Sequence, residues 1–330
     1  MIRRAILLIT LLLGVIALVA CRRAGEPPVR PTSTAYYTTP TPVSSDPPTP
    51  PPNPRSRPEA TTVLLLGADR RGSSSAVDNT DTLMLFHLDP DARHAVVLSI
   101  PRDLYVEIPG HGPGRINTAY AWGEQDGTGG LALARHTISA TLGIPVHHAV
   151  LLDFHAFVTL IDAIGGVDVD VPYAILDPTY PDSDIGYEPF ALPAGQRHLD
   201  GATALKYART RATYGGDFDR TARQRQLVLA VRDRITSLDL LPGLIAQSPQ
   251  LWAALQTAFE TDLTLAEIVD LAVVTSRIPA DQIATAGIDQ SCTHAWVTPG
   301  GASVLVADSG AMEALITGLF VPPPAAMAAQ

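Results

Sequence analysis

Thr61-Thr-Val-Leu-Leu-Leu-Gly67 is a continuous run of β-branched and apolar residues closed by a glycine, the pattern of a strand buried on both faces. Downstream of it, Thr82 to Leu88 and Ala95 to Ile100 read as two further strands, each ending in polar residues. Leu131 to Leu142 carries apolar residues at helical spacing, with Gly143 as its stop. His148 to Phe154 reads as a strand, and Phe157 to Ile164 as a helix ended by Gly165-Gly166. Val167-Asp-Val-Asp-Val171 alternates strictly and predicts a half-exposed strand, followed by helices over Gly201 to Arg209 and Thr221 to Ser237. Helices over Gln250 to Phe259, Leu265 to Arg277 and Gly310 to Phe320, with short strands at Ile283 to Ile288 and Ser303 to Val306, complete the chain. Strands and helices alternate with no second linker and no internal repeat, which predicts one α/β domain, a sheet flanked by helices.

Upstream the chemistry changes. Residues 26–58 hold twelve of the 29 prolines, with Thr and Ser in most of the gaps, a composition that favours extended polyproline II over a core. At about 3.1 Å per residue, such a segment after Cys21 forms a stalk of roughly 110–120 Å. The N-terminus has a positive start, Met1-Ile-Arg-Arg4, then an apolar run from Ala5 to Ala20, the layout of a secretory signal too short for a comfortable membrane span. Its ending, Leu18-Val-Ala-Cys21, resembles a bacterial lipobox, in which Cys21 is lipidated and becomes the first mature residue. The alternative is an uncleaved signal anchor; either way the rest of the chain lies outside the cytoplasmic membrane. With Cys21 lipidated, Cys292 has no partner, no disulfide framework exists, and Cys292 reads as a core residue.

The 330 residues carry a net charge of −10, which argues against a general nucleic-acid binder. Against that background Arg209, Arg211, Arg220, Arg223 and Arg225 fall within seventeen residues, and Lys206 is the chain's one lysine. Guanidinium groups grip phosphate and carboxylate oxygens in a two-pronged geometry that ammonium lacks, so the cluster points to a bound oligo-anion; a solvated helix face is the plainer reading. Arg220 shares a helix face with Arg223 or Gln224 near a helix start. Cations there oppose the helix dipole, so an Arg needs an anionic partner. Arg209 and Arg211 are two apart, so a regular helix does not point them together; one or both sit in the helix-ending turn, facing across Gly215-Gly216.

Asp69 and Asp81 follow or precede strands, where ligands of α/β sheets bind. Brought together they suit Mg²⁺, a hard ion held by a few carboxylates and phosphate oxygens, or else they cap turns. In Ser99-Ile-Pro-Arg-Asp103, Pro101 stops the third strand and leaves Arg102 and Asp103 on a loop, facing a ligand or paired with an Asp. Arg115-Ile-Asn-Thr-Ala-Tyr120 adds Arg115 and Asn117 after a glycine-rich loop. The nine histidines show no ligand spacing, and no Gly-x-Ser-x-Gly, phosphate loop or dinucleotide fingerprint is present.

Several of these pieces, in order, resemble the LytR-CpsA-Psr proteins of bacterial envelopes: Leu64-Leu-Leu-Gly-Ala-Asp69, Thr80-Asp-Thr-Leu-Met84, Leu98-Ser-Ile-Pro-Arg-Asp103, Arg115-Ile-Asn-Thr-Ala-Tyr120, Gly165-Gly-Val-Asp-Val169, Leu199-Asp-Gly201, Ala204-Leu-Lys-Tyr-Ala-Arg-Thr-Arg211, Asp219-Arg220 and Arg223-Gln224. The resemblance implies a three-layer α/β/α fold around a mixed sheet. It also implies a phosphotransferase that moves a glycopolymer from a polyprenyl-diphosphate carrier to peptidoglycan. On that reading residues 1–20 are a signal peptide, 21–59 a lipidated cysteine and stalk, 60–240 the catalytic domain, and 241–330 an α/β extension packed on it. Asp69 and Asp81 would hold Mg²⁺; Arg102, Arg209, Arg211, Arg220 and Gln224 would clamp the diphosphate. Arg70, Arg115, Asn117, Asp219 and Arg223 would contribute to substrate binding, and the polyprenyl tail would enter an apolar pocket between sheet and helices. Arg225 would remain a surface charge, and Asp103 and Asp219 are candidate bases. Many relatives carry an arginine where this chain has Asn79, a loss that Arg70 or Arg71 could offset. Relatives are also commonly anchored by a transmembrane helix rather than a lipid. A lipid-diphosphate hydrolase and a non-catalytic anion-binding lipoprotein are the competing readings.

Overall fold

The opening run becomes β1 (Thr61–Ala68), which lies inside a six-stranded mixed sheet. The computed structural model describes residues 60–68, 79–91, 93–181, 186–237, 240, 242 and 259–320. The N-terminal signal, Cys21, the proline-rich segment, Asp69, Arg70 and residues 250–258 of the predicted Gln250–Phe259 helix lie outside them. β2 (Thr80–Asp89) and β3 (His94–Ile100) follow as antiparallel neighbours, and β4 (Tyr105–Ile108) and β5 (Gly112–Arg115) form a separate hairpin. Helices α1 (Ala119–Asp126) and α2 (Gly130–Leu142) lead to β6 (His148–Asp153), parallel to β1. Then come α3 (Phe154–Ala163), β7 (Val167–Val171), the short pair β8 (Ile175–Asp177) and β9 (Phe190–Leu192), and β10 (Gly195–Leu199), which pairs with β7. Helices α4 (Gly201–Arg209) and α5 (Asp217–Ser237) follow. The last third adds β11 (Phe259–Thr261), α6 (Leu265–Arg277), β12 (Ile283–Gly287), the hairpin of β13 (Thr293–Val297) and β14 (Ser303–Ala307), and α7 (Ser309–Phe320). The sheet order is β11-β6-β1-β2-β3-β12, so β11 and β12 complete its two edges.

The period of two along β1 sends Leu64, Leu66 and Ala68 into one core with Tyr120, Leu133, Ile138 and Met312, and Val63 into another with Ile161, Tyr207, Leu227 and Val269. Helices α1, α2 and α7 thus cover one face and α3 to α6 the other, the expected three layers. Each fully buried Leu in β1 contributes roughly 1.5–3 kcal/mol.

Boundaries moved where polar chemistry overrides hydrophobic period. α3 starts at Phe154 because Asp153 caps it, its carboxylate accepting from the Ala156 amide at 2.6 Å. α5 starts at Asp217, ahead of the expected Thr221, with Asp217 and Asp219 in the first turn where carboxylates favour the dipole. Phe259 begins a strand rather than ending a helix. The hairpin β4–β5, α1, β8 to β10, β11 and β13 add short elements that the hydrophobic pattern did not predict.

Register brings the ends that matter together. Ala68 at the end of β1 pairs with Thr80 at the start of β2 and with Asp153 at the end of β6, and Ile100 at the end of β3 pairs with Leu83. Helix α4 packs closely on α3: a Cβ at Gly201 would lie 2.2 Å from the Val158 carbonyl oxygen. Gly201→Ala is therefore expected to lower stability by about 1–3 kcal/mol through overpacking, read as a shifted denaturant midpoint at unchanged slope.

Candidate anion-binding site

Where β2 begins and β3 and β6 end, a cavity of about 490 Å³ opens under the end of α4 and the start of α5. Four guanidinium groups line it, Arg102, Arg209, Arg211 and Arg220, with two carboxylates, Asp81 and Asp177, and the Gln224 amide. Arg209 is the last residue of α4, and its guanidinium lies 4.4 Å from the Phe154 ring and 5.6 Å from the Tyr180 ring. Nη1 of Arg209 donates to the Tyr180 hydroxyl at 3.2 Å, so the ring contacts and this hydrogen bond help set its plane. Thr210 then leaves the helix with φ −56° and ψ 142°, its hydroxyl donating to Asp177 Oδ2 at 2.6 Å. That extended step lets Arg211, two residues on, reach the same cavity as Arg209.

Arg220 sits in the first turn of α5 with its side chain only 3% exposed. Its Nε and Nη2 donate to the two oxygens of Asp217 at 2.8 and 3.1 Å, and Nη1 donates to the Asp81 carbonyl at 2.8 Å. Arg211 Nε approaches the same Asp217 carboxylate at 3.1 Å. The anionic partner that the helix dipole demands is thus supplied from within the chain by Asp217. Sequence reasoning passed over this residue, although the Asp217–Arg220 spacing of three within a helix start was a usable signal.

The charges strain one another. Burial lowers the pKa of Arg211, and the nearby Arg220 and Arg102 lower it further. Burial alone would lower Arg102 too, but its bond to the Asp81 carboxylate and the charges of Asp81, Asp103 and Asp217 together outweigh that and raise it. Burial would raise Asp217, yet the bond from Arg220 and the charges of Arg220, Arg211 and Arg102 hold it below the usual carboxylate value. An oligo-anion entering here meets crowded, pre-aimed donors.

The other expected site residues lie elsewhere. Arg115 Nε faces Asp103 at 3.4 Å, and its Nη2 donates to the Ser303 carbonyl at 2.8 Å. Asn117 is buried, its carbonyl accepting from the Thr80 hydroxyl at 3.4 Å. Asp219 accepts from the Tyr173 hydroxyl at 2.7 Å and the Gly215 amide at 2.9 Å. Arg223 donates to the carbonyls of Tyr207, at 2.9 Å, and Thr210, so its charge closes the end of α4. Arg225 is half-buried against β12, where a Cβ at Gly287 would meet its Nη1 at 2.5 Å, and is not an open surface charge. Asn79 is exposed just before β2, while Asp69 and Arg70 lie outside the described residues.

The polar cavity adjoins an apolar slot between the sheet and α5. The slot shares Thr82, Phe154, Arg209 and Gln224 with it and continues over Leu65, Met84, Leu152 and Val228. A second apolar slot carries on from Leu65, Leu152 and Val228 past Phe86, Val97 and Ala272. A charged head and an apolar chain attached to it would find matched surfaces in sequence.

The sequence profile of the LytR_cpsA_psr family matches residues 34–319. The chain belongs to the LytR_cpsA_psr family. It is 34% identical over 214 residues to the polyisoprenyl-teichoic acid–peptidoglycan teichoic acid transferase TagU of Oceanobacillus iheyensis, covering 64% of this chain and 62% of that protein. To the probable cell wall biosynthesis protein LcpB of Corynebacterium glutamicum it is 34% identical over 193 residues, covering 54% of this chain and 42% of that one. The match thus spans less than two thirds of each of these relatives. Among solved structures, Bacillus subtilis TagV superposes with a TM-score of 0.62 at 24% identity, over 82% of this chain and 100% of that one, a likeness of fold.

In this LytR_cpsA_psr protein, Asp217→Asn keeps the shape but removes the charge that aligns Arg211 and Arg220. Pyrophosphate affinity, measured by calorimetry, is expected to fall about tenfold, the scale of one charge-assisted hydrogen bond. Because Asp217 titrates below its unfolded value, its ionised form favours folding above the ordinary Asp range, and that stabilisation disappears as pH falls through the folded pKa. Acid unfolding of Asp217→Asn should therefore show a flatter dependence on pH than the parent.

Proposed function

We propose that this chain is an extracytoplasmic phosphotransferase that moves a glycopolymer from a polyprenyl-diphosphate carrier onto peptidoglycan. The observation that carries the reading is the junction at Arg209 and Gln224, which line both the four-guanidinium cavity and an apolar slot beside it. A diphosphate with a hydrocarbon chain on one side and a sugar on the other fits that junction; a plain anion receptor has no need of the slot. The likeness to TagU, a polyisoprenyl-teichoic acid–peptidoglycan teichoic acid transferase, supports the same assignment.

In the reaction, a sugar hydroxyl of peptidoglycan attacks the phosphorus that bears the polymer sugar. The bond from that phosphorus to the bridging oxygen breaks, the electron pair leaves with polyprenyl monophosphate, and the proton of the attacking hydroxyl ends on that leaving phosphate or in solvent. The polymer is then held to its acceptor by a phosphodiester. Charge spreads over the phosphoryl oxygens as the bridge breaks, and positioned cations stabilise it. Arg220, locked by Asp217, and Arg209, stacked on Phe154 and Tyr180, are aimed before substrate arrives, so little reorganisation is needed. Gln224, whose amide donates to the Ala208 carbonyl at 3.1 Å, stands where head and tail meet. The Asp81 carboxylate opens on the cavity, and its hard oxygens suit Mg²⁺ alongside diphosphate oxygens. Asp81 with Asp69 would hold that ion, which would supply further neutralisation of the diphosphate.

An envelope location follows from the same reading: a signal peptide over residues 1–20, lipidation at Cys21, and the proline-rich segment would hold the domain at the outer face of the membrane. No helix among the described residues is long and apolar enough to cross a membrane.

Incubating the purified domain with a polyprenyl-diphosphate glycopolymer and lipid-free peptidoglycan should release polyprenyl monophosphate and attach polymer to the wall. Arg220→Ala is expected to slow this by about a hundredfold or more, the scale of a lost transition-state cation. Full activity in Arg220→Ala would sink the site. Release at an unchanged rate without peptidoglycan, with no polymer attached when it is present, would show water to be the acceptor and a hydrolase in its place.

A further inference from the structure

Outside the cavity, the aromatic side chains with solvent exposure gather at several points, and one of these is tied to the cavity by a chain of charges. In the β4–β5 hairpin Tyr105 stands directly opposite Arg115, so the two side chains share a face. Trp296 of β13 lies edge-on to Tyr105 with ring centroids 5.5 Å apart and an interplanar angle of 61°, yet 41% of it remains exposed, and Val297 beside it is 62% exposed. The hairpin β13–β14 is docked here by backbone bonds, with Leu305 N donating to the Asp103 carbonyl at 2.9 Å. Arg115 binds the Ser303 carbonyl, opposite Val297, and faces Asp103, which in turn faces Arg102 of the cavity at 3.7 Å.

We propose that Trp296 and Tyr105, with Arg115 and Asp103, form a ledge on which the glycan strand of the acceptor lies, its hydroxyl directed toward Arg102. Pyranose rings present an apolar C–H face and a rim of hydroxyl and amide groups. An aromatic face whose orientation is fixed by a second ring, flanked by a two-pronged cation and a carboxylate, matches both parts. An indole held this way that served only the core would be covered, whereas this one keeps a broad face to solvent beside polar groups that lead to the reacting centre. The ledge places the acceptor on the Arg102 side of the cavity, away from the apolar slot that begins at Arg209 and Gln224. The occupant rests on the transferase reading, while the binding surface can be tested without turnover.

The probe is a soluble, uncrosslinked strand of alternating N-acetylglucosamine and N-acetylmuramic acid, titrated into the full-length protein. Trp296→Ala should weaken strand binding about tenfold, and Trp296→Phe, which keeps an aromatic face, should restore most of it. Pyrophosphate affinity and thermal midpoint should stay near parental values in both variants, a combination that a purely structural Trp296 would not produce. Strand binding equal to the parent in Trp296→Ala overturns the ledge, as does a parallel loss of pyrophosphate affinity and thermal midpoint. A parent that binds the strand through Trp296 but transfers nothing to it leaves the ledge standing and removes the transferase reading instead.

Discussion

Asp217 sets one carboxylate between Arg220 and Arg211, and the cavity depends on that placement. Like charges about 4 Å apart near a protein surface repel by roughly 4 kcal/mol, so four guanidinium groups around one space would splay apart without an internal counter-charge. Asp217 meets Arg220 with both oxygens, and Arg220 is nearly sealed from water. The pair also joins the start of α5 to β2, since Arg220 reaches the Asp81 carbonyl. Asp81 in turn holds Arg102. Charge balance, helix position and the mouth of the sheet are therefore one connected arrangement, and the remaining positive excess faces the cavity.

Much of this was legible in the order of residues because the central strands and their helices are long and periodic. β1, β3, α4 and α6 could be placed to within a residue or two, since both faces of the sheet are buried and each turn of helix repeats its apolar positions. The β4–β5 hairpin was not, because Gly112-Pro-Gly-Arg115 contains no strand-forming residue and pairs through its backbone with the adjacent β4 without any hydrophobic period to announce it. The start of α5 was missed for a related reason: its buried positions include Arg220, Arg223 and Gln224, which are satisfied by hydrogen bonds and carry no apolar signal.

The cavity shows the same division. Clustering and motif order pointed to Arg102, Arg209, Arg211, Arg220, Gln224 and Asp81, and the fold gathers all six. Arg223 has the same residue type and nearly the same helical face as Arg220, but its charge goes to the carbonyls that end α4. Only the tertiary contact separates a cavity-facing arginine from one that caps a helix. Phe154, Tyr180 and Asp177, which aim Arg209 and Thr210, come from segments that have no spacing relation to the arginine cluster.

The edge strands have a consequence for how the chain folds. β11 and β12 flank strands made more than a hundred residues earlier, β12 beside β3 and β11 beside β6. Until they arrive, β3 and β6 present unpaired backbone edges, the features that promote strand exchange and aggregation. Pairings of this sequence separation are slow to form, because loop closure precedes any gain from contact. A chain that emerges with its N-terminus first would hold its central sheet open at both sides until its last third is delivered. Premature termination would therefore harm assembly more than the location of the arginine cavity suggests.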